Sequence, residues 1–109
     1  MGLKTVENDH FDRDGYLNDV QLWTPKIAEK IAARESIELT NQHWEIILLV
    51  RKYHEEFDSA PAMRALVKYI RLHVGDTAGR SSYILSLFPN SPATVACKIS
   101  GLRKPDFCL

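Results

Sequence analysis

Apolar residues recur every three or four positions along most of the chain after residue 24, and this spacing predicts amphipathic helices that bury one face. Capping residues, prolines and glycines divide the pattern into five segments. The predicted starts are Thr24-Pro25, Thr40, Pro61, Ser81 and Ser91-Pro92. The predicted ends lie near Ser36, Phe57, Gly75, Phe88 and Gly101. The sequence therefore predicts a mainly α fold, a compact helical domain of about five helices.

The second predicted helix carries the most continuous apolar pattern. Most of the helix circumference is covered by Trp44, the run from Ile46 to Val50, Tyr53 and Phe57. A helix that is apolar on several sides is typically packed on more than one side. We therefore expect this helix to be the central one.

The two chain ends differ from the helical part. Asp14-Gly15 is typical of a tight turn and predicts a small N-terminal β-hairpin, which would make the fold α+β. Beyond Gly101, Pro105 and the nearby chain end leave little room for regular structure, so residues 101–109 are expected to be a mobile C-terminal arm. The length of 109 residues suits one domain, 1–109.

Charge and hydropathy exclude some classes of function. The 14 Lys and Arg residues balance 14 Asp and Glu residues, so no large net charge indicates binding to nucleic acid or a membrane. The first residues lack the charged and apolar regions of a signal peptide, and no apolar run is long enough to span a bilayer. The expected compartment is the cytoplasm.

Both cysteines lie in the last thirteen residues, Cys97 and Cys108, so a disulfide framework across the fold is excluded. Cys108 is next to last, where exposure favours thiolate chemistry. Arg103 and Lys104 would lower its pKa, while Asp106 and the terminal carboxylate would raise it, and the sequence leaves the sign open.

Cys97 lies inside the fifth predicted helix, where a small buried hydrophobe and a second redox cysteine are both possible roles. The seven residue steps from Gly101 to Cys108 are long enough to fold back across a helix, so a disulfide between the two cysteines is sterically conceivable.

Other catalytic and metal-binding patterns are missing from the sequence. There is no CxxC pair and no histidine in the last thirty residues, so zinc-ligand spacing is absent. No Gly-rich phosphate loop or Ser-His-Asp signature occurs. A Cys-His hydrolase would need one of four histidines against the thiol, and these are His10, His43, His54 and His73. We expect no metal and no organic cofactor.

A basic face on the third predicted helix is a candidate binding surface. Arg64, Lys68 and Arg71 follow at i, i+4 and i+7, on one side of a helix. With the second helix and the turn at 58–61, they would form a helix-turn-helix-like core that faces DNA phosphates. The alternatives are a solvated face or a docking patch for an acidic partner, and zero net charge makes direct DNA binding the less favoured hypothesis.

Five segments of the chain resemble a known family, the DsrC/TusE family, over residues 14–109. The segments are DGYL, ELTNQHWEIILLVRKYHEEF, APAMRALVKYI, YILSLFP and PATVACKISGLRKPDFCL. The resemblance implies a mainly helical domain with a small hairpin and a mobile arm that ends in G-L-x-K-P-x-x-C-x. It also implies that Cys108 accepts a sulfane sulfur as a persulfide, that Cys97 corresponds to the family's upstream cysteine, and that the protein acts as a sulfurtransferase of the relay type.

The resemblance implies two branches of function. In one, a TusBCD-like or DsrEFH-like sulfurtransferase complex is the donor and an MnmA-like tRNA 2-thiouridylase is the acceptor, with only Cys108 required. In the other, a DsrC-like partner of dissimilatory sulfite reductase uses both Cys97 and Cys108. The sequence of the APAMRALVKYI segment favours the tRNA-thiolation branch, and the presence of Cys97 favours the sulfite reductase branch.

Two further sets of residues remain candidates for partner binding. Arg103 and Lys104 would dock the arm beside a persulfide-binding cleft or near tRNA. Arg64 and Lys68 would form a partner face. A helix-turn-helix DNA-binding regulator remains as a third hypothesis, which should need neither cysteine for binding.

Overall fold

The computed structural model describes residues 10–104, and five α-helices contain just over half of them. Their bounds are Pro25–Arg34 (α1), Asn41–Phe57 (α2), Met63–His73 (α3), Ser81–Leu87 (α4) and Pro92–Ile99 (α5), and a short 3-10 turn covers Val20–Leu22. The predicted mainly α fold of five helices is confirmed.

Local capping explains where α1 and α2 begin. The Thr24 hydroxyl accepts a hydrogen bond from the Ile27 amide (3.2 Å), with Pro25 at the first helical position. At α2, Thr40 accepts from the amide of His43, and the Nδ1 atom of His43 accepts from the Thr40 amide at 3.0 Å. This reciprocal pair is a capping box in which histidine takes the place usually held by Glu or Gln.

The third helix begins differently from the prediction. Pro61 is not the first residue of α3; it is buried in the core, and Ala62 precedes the helix at the N-cap position. The fifth helix begins at Ser91-Pro92 as predicted, although Ser91, at the N-cap position, makes no side-chain cap hydrogen bond. At α3, burial of Pro61 in the core outweighs its preference for a first helical turn.

The central helix is α5, which contacts each of the other four helices. Its buried residues include Ala93, Ala96 and Cys97, whose small side chains let neighbouring helices approach closely. The expectation that the second helix is central is wrong, since α2 packs on α3 and α5 and leaves Leu48 and Phe57 exposed at 57% and 52%. An apolar pattern records residue type but not the number of neighbours.

The N-terminal β-hairpin is also corrected by the structure. The turn forms, with Gly15 at φ +87° and its amide donating to the Asp12 carbonyl at 3.0 Å. However, Phe11 and Leu17 form only an isolated antiparallel bridge, and residues 10–104 contain no strand. Burial of Phe11, Tyr16 and Leu17 fixes this segment, and the chain turns into the 3-10 helix before a ladder can extend.

Within residues 10–104, no helix is long and apolar enough to cross a membrane.

Candidate functional site

Of the two cysteines, Cys97 is among the described residues and Cys108 is not. Cys97, on α5, has 0% of its surface exposed, and its Sγ atom donates to the Pro61 carbonyl at 3.7 Å. Cys108 and the rest of residues 105–109 lie outside the described residues. The structure therefore defines the chain segment from which residues 105–109 continue, which we call the arm root (residues 99–104).

A Schellman motif ends α5 and begins the arm root. Gly101 adopts φ +80°, its amide donates to the Lys98 carbonyl (3.1 Å), and the Leu102 amide donates to the Cys97 carbonyl (3.1 Å). A glycine in the left-handed region with these two bonds satisfies carbonyls that a helix end leaves without partners. Leu102 is 1% exposed. Gly101 and Leu102, which the sequence assigns to the arm, are thus packed in the core.

Two side chains distant in sequence bind the remaining carbonyls of this helix end. The indole Nε1 of Trp23 donates to the Ile99 carbonyl at 2.9 Å. The guanidinium of Arg51 donates to the Ser100 carbonyl at 2.7 Å and lies 4.1 Å from the centre of the Trp23 ring. We call Trp23 and Arg51 the root clamp.

Burial affects the electrostatics of the root clamp. Desolvation lowers the pKa of Arg51 from its usual value, and the carboxylate of Glu55 acts in the opposite direction. A guanidinium remains charged under these conditions. The positive charge therefore lies at the carboxyl end of α5, where it interacts favourably with the helix dipole.

Neither member of the root clamp was identified from the sequence. No short-range signal identifies them, because Trp23 lies 76 residues and Arg51 lies 49 residues from their carbonyl partners.

The arm root carries the two cations predicted as arm-docking residues. Lys104 Nζ lies 2.7 Å from the Asp14 carboxylate, and both side chains are 45% exposed. The hydrogen bond and charge of Lys104 lower the pKa of Asp14, so this carboxylate stays ionised at neutral pH. Arg103 is exposed next to them. The arm root thus lies beside the turn that contains Asp14.

The predicted partner face forms a groove on another side of the molecule. Its volume is about 560 Å³, and its lining combines cations with apolar side chains. The lining residues are Met63, Arg64, Val67, Lys68, Arg71 and Ser81. Arg71 donates to the Gly79 carbonyl at 3.1 Å. Within residues 10–104, neither Arg64 nor Lys68 has an ion-pair partner. We call this surface the basic groove.

His43 has a structural role rather than a catalytic one. It is buried, its Nδ1 faces the Thr40 amide, and its Nε2 lies 2.7 Å from the Leu87 carbonyl. Since Nδ1 accepts in the capping box, Nε2 carries the proton and donates. Both ring nitrogens are therefore occupied and do not serve a thiol. In the described part of the chain, no cluster of His, Cys, Asp and Glu is suited to a metal ion.

Comparison with known proteins extends the sequence resemblance to almost the full length. A family model described as "DsrC like protein" matches residues 5–109. The sulfurtransferase TusE of Buchnera aphidicola subsp. Acyrthosiphon pisum is 44% identical over 107 residues, which covers 98% of this chain and 94% of the relative.

Solved structures agree in fold. The NMR structure of Allochromatium vinosum DsrC has a TM-score of 0.82 at 42% identity, covering 91% of this chain and 88% of that one. The crystal structure of the oxidized gamma-subunit of the dissimilatory sulfite reductase (DsrC) from Archaeoglobus fulgidus has a TM-score of 0.77 at 39% identity, covering 91% and 90%. Relatives from both branches therefore match over nearly the whole chain.

Proposed function

The chain belongs to the DsrC family, and from this we propose that it is a sulfur carrier that takes a sulfane sulfur as a persulfide on Cys108 and delivers it for 2-thiouridine synthesis at the tRNA wobble position. The observation that carries the proposal is the 44% identity to a sulfurtransferase TusE over 98% of the chain. The protein is thus a sulfurtransferase of the relay type, and we infer that it works in the cytoplasm.

The proposed chemistry is two successive thiol exchanges at Cys108. Its thiolate attacks the outer sulfur of a donor persulfide, the donor S–S bond breaks, and the donor leaves as a thiolate while Cys108 keeps the sulfur and its proton. An acceptor thiolate then attacks the outer sulfur on Cys108, which leaves as a thiolate. Neither step is a net oxidation or reduction, so no external oxidant or reductant is needed.

The arm root supports this chemistry geometrically. Leu102 is buried, and six peptide steps separate it from Cys108. A chain of this length spans at most about 20 Å, enough to enter an active-site cleft of a partner while the globule stays outside. The proposed donor is a TusBCD-like or DsrEFH-like complex, and the proposed acceptor is an MnmA-like tRNA 2-thiouridylase.

The basic groove supports a second part of the proposal, a docking surface for an acidic face of the donor complex. Arg64 and Lys68 are exposed on its rim, and Met63 and Val67 give it an apolar floor. Complementary charges at such a rim increase association rates and fix orientation. A phosphate backbone is less favoured, because the formal net charge is zero and Arg71 is already bound to Gly79.

Reversing the two exposed charges should weaken docking. In the double variant Arg64→Glu and Lys68→Glu, we expect the KM for the donor complex to rise about tenfold at low salt, because a rim attraction becomes a repulsion. The measurement is the rate of sulfur transfer against donor concentration at two ionic strengths. Lys26→Glu with Lys30→Glu, two exposed positions on α1, is the matched control. Equal KM values for the two double variants would contradict the docking surface.

The sulfur-carrier proposal is tested by intact-protein mass spectrometry of the wild type after incubation with a cysteine desulfurase, cysteine and the donor complex. We expect a mass gain of one sulfur atom that a reductant removes, and peptide mapping should locate it on the segment that contains Cys108. No gain from any persulfide donor would overturn the proposal.

A role with dissimilatory sulfite reductase is the second candidate, and the presence of Cys97 favours it. In that reaction, sulfur would bridge Cys97 and Cys108, so both cysteines would be essential. The match to Allochromatium vinosum DsrC at 42% identity agrees with this candidate but does not exceed the identity to TusE.

A further inference from the structure

We propose that Trp23 and Arg51 are positioning residues for sulfur transfer, because they fix the point and direction from which the Cys108 arm leaves the globule. This inference rests on the proposed function and adds to it two residues outside the arm. Both bind backbone atoms of the arm root rather than the reacting sulfur.

The root clamp fixes the arm root through independent contacts. Trp23 binds the Ile99 carbonyl and Arg51 binds the adjacent Ser100 carbonyl, at 2.9 and 2.7 Å. The Trp23 ring also lies so close to Gly101 that a Cβ atom there would come within 2.7 Å of the indole Cγ. Trp23 and Arg51 thus contact three consecutive residues, 99–101, and the next residue, Leu102, is buried.

The clamp also connects the arm root to the surface proposed for docking. Arg51 is part of α2, and α2 packs on α3, which carries most of the basic groove. Trp23 immediately precedes the cap of α1. A partner docked in the basic groove therefore meets an arm whose starting point is set relative to α2 and α3.

The chain length makes this starting point important. With the root fixed at Leu102, Cys108 operates within about 20 Å. If the contacts of Trp23 and Arg51 are lost, the tether can lengthen towards Ser100. The effective concentration of the Cys108 thiol at the partner's site then falls, and the direction of the arm is no longer set. Misplacement of a reacting group by about 1 Å can lower the rate up to a hundredfold. The loss is smaller for a group on a flexible tether, because the tether still samples the productive position part of the time.

The experiment uses Arg51→Lys, which keeps the charge but loses the planar fork, and Trp23→Phe, which keeps a ring but loses the N–H donor. Sulfur transfer from the donor complex to the full-length chain is measured against donor concentration. We expect kcat to fall about threefold to tenfold with little change in KM, because the basic groove is intact. The alkylation rate of Cys108 by iodoacetamide should not change, since a small reagent needs no positioned arm.

The matched control is Arg34→Lys. Arg34 also stacks on an aromatic ring, 4.8 Å from the centre of Phe11, and it lies on α1 rather than at the arm root. It should transfer sulfur at the wild-type rate. Thermal unfolding of each variant identifies simple destabilisation, and the conservative Trp23→Phe keeps the test valid if Arg51→Lys folds poorly.

The outcomes separate this inference from the proposed function. Wild-type kcat in both clamp variants would overturn the positioning role, and so would an equal fall in Arg34→Lys. A parallel loss of iodoacetamide reactivity would also overturn it, because the thiol itself would then have changed. If the wild type takes up no sulfur from any donor, the carrier function fails instead.

Discussion

Replacement of Cys108 by serine should reduce sulfur delivery to the background rate. A serine hydroxyl is almost entirely protonated at neutral pH, and its oxygen cannot form the persulfide that carries the sulfur. In a reconstituted system with donor, acceptor and tRNA, we expect the rate of 2-thiouridine formation to fall by about a thousandfold or more, as for other activated nucleophiles. Chromatography of digested tRNA measures the product.

Cys97→Ala is the matched control for this variant, because it removes the other thiol. Cys97 is fully buried and alanine is only slightly smaller, so we expect the free energy of unfolding to fall by about 1–2 kcal/mol while sulfur delivery to tRNA is retained. Retained delivery in Cys108→Ser would contradict the assigned carrier. Loss of turnover in a folded Cys97→Ala protein would favour the two-cysteine chemistry of a sulfite reductase partner.

Gly101→Ala should cause the largest loss of stability among small changes at the arm root. The residue has φ +80°, which costs an alanine about 1–2 kcal/mol, and the added Cβ would lie 2.7 and 2.8 Å from the Cγ and Cβ atoms of Trp23. Relief of that collision requires Trp23 to move, with loss of its bond to Ile99. We expect the free energy of unfolding to fall by about 3 kcal/mol or more, measured by urea denaturation.

Asn90→Ala isolates the collision from the backbone strain. Asn90 has φ +77°, almost the same as Gly101, but its side chain is exposed. Alanine there should cost only about 1 kcal/mol. Equal losses in the two variants would show that the Trp23 contact does not contribute.

Sequence predicted the helices well where their signals are local. Thr24 and Thr40 cap α1 and α2 through bonds to residues three positions away, and these caps appear directly in the sequence. The start of α3 was misplaced because Pro61 satisfies the preference for a first helical turn but is buried before the helix begins.

The prediction failed where long-range contacts determine which residues are buried and which helices pack together. The apolar pattern of α2 could not show that Leu48 lies at the surface or that the small residues of α5 contact four helices. The chemistry of the site was predictable from the cysteine positions and the resemblance. The root clamp was not, since Trp23 and Arg51 meet the end of α5 only after the fold has formed.

The stacking of Arg51 on Trp23 has a practical consequence, because it gives the arm root an optical signal. Indole fluorescence responds to a nearby cation and to hydrogen bonding of its N–H, and Trp23 has both contacts. The other tryptophan, Trp44, is half-buried on α2 and can be replaced by phenylalanine to remove its background. In such a protein, the intrinsic emission of Trp23 reports, without a label, whether its contacts with Arg51 and the Ile99 carbonyl are kept when a partner binds.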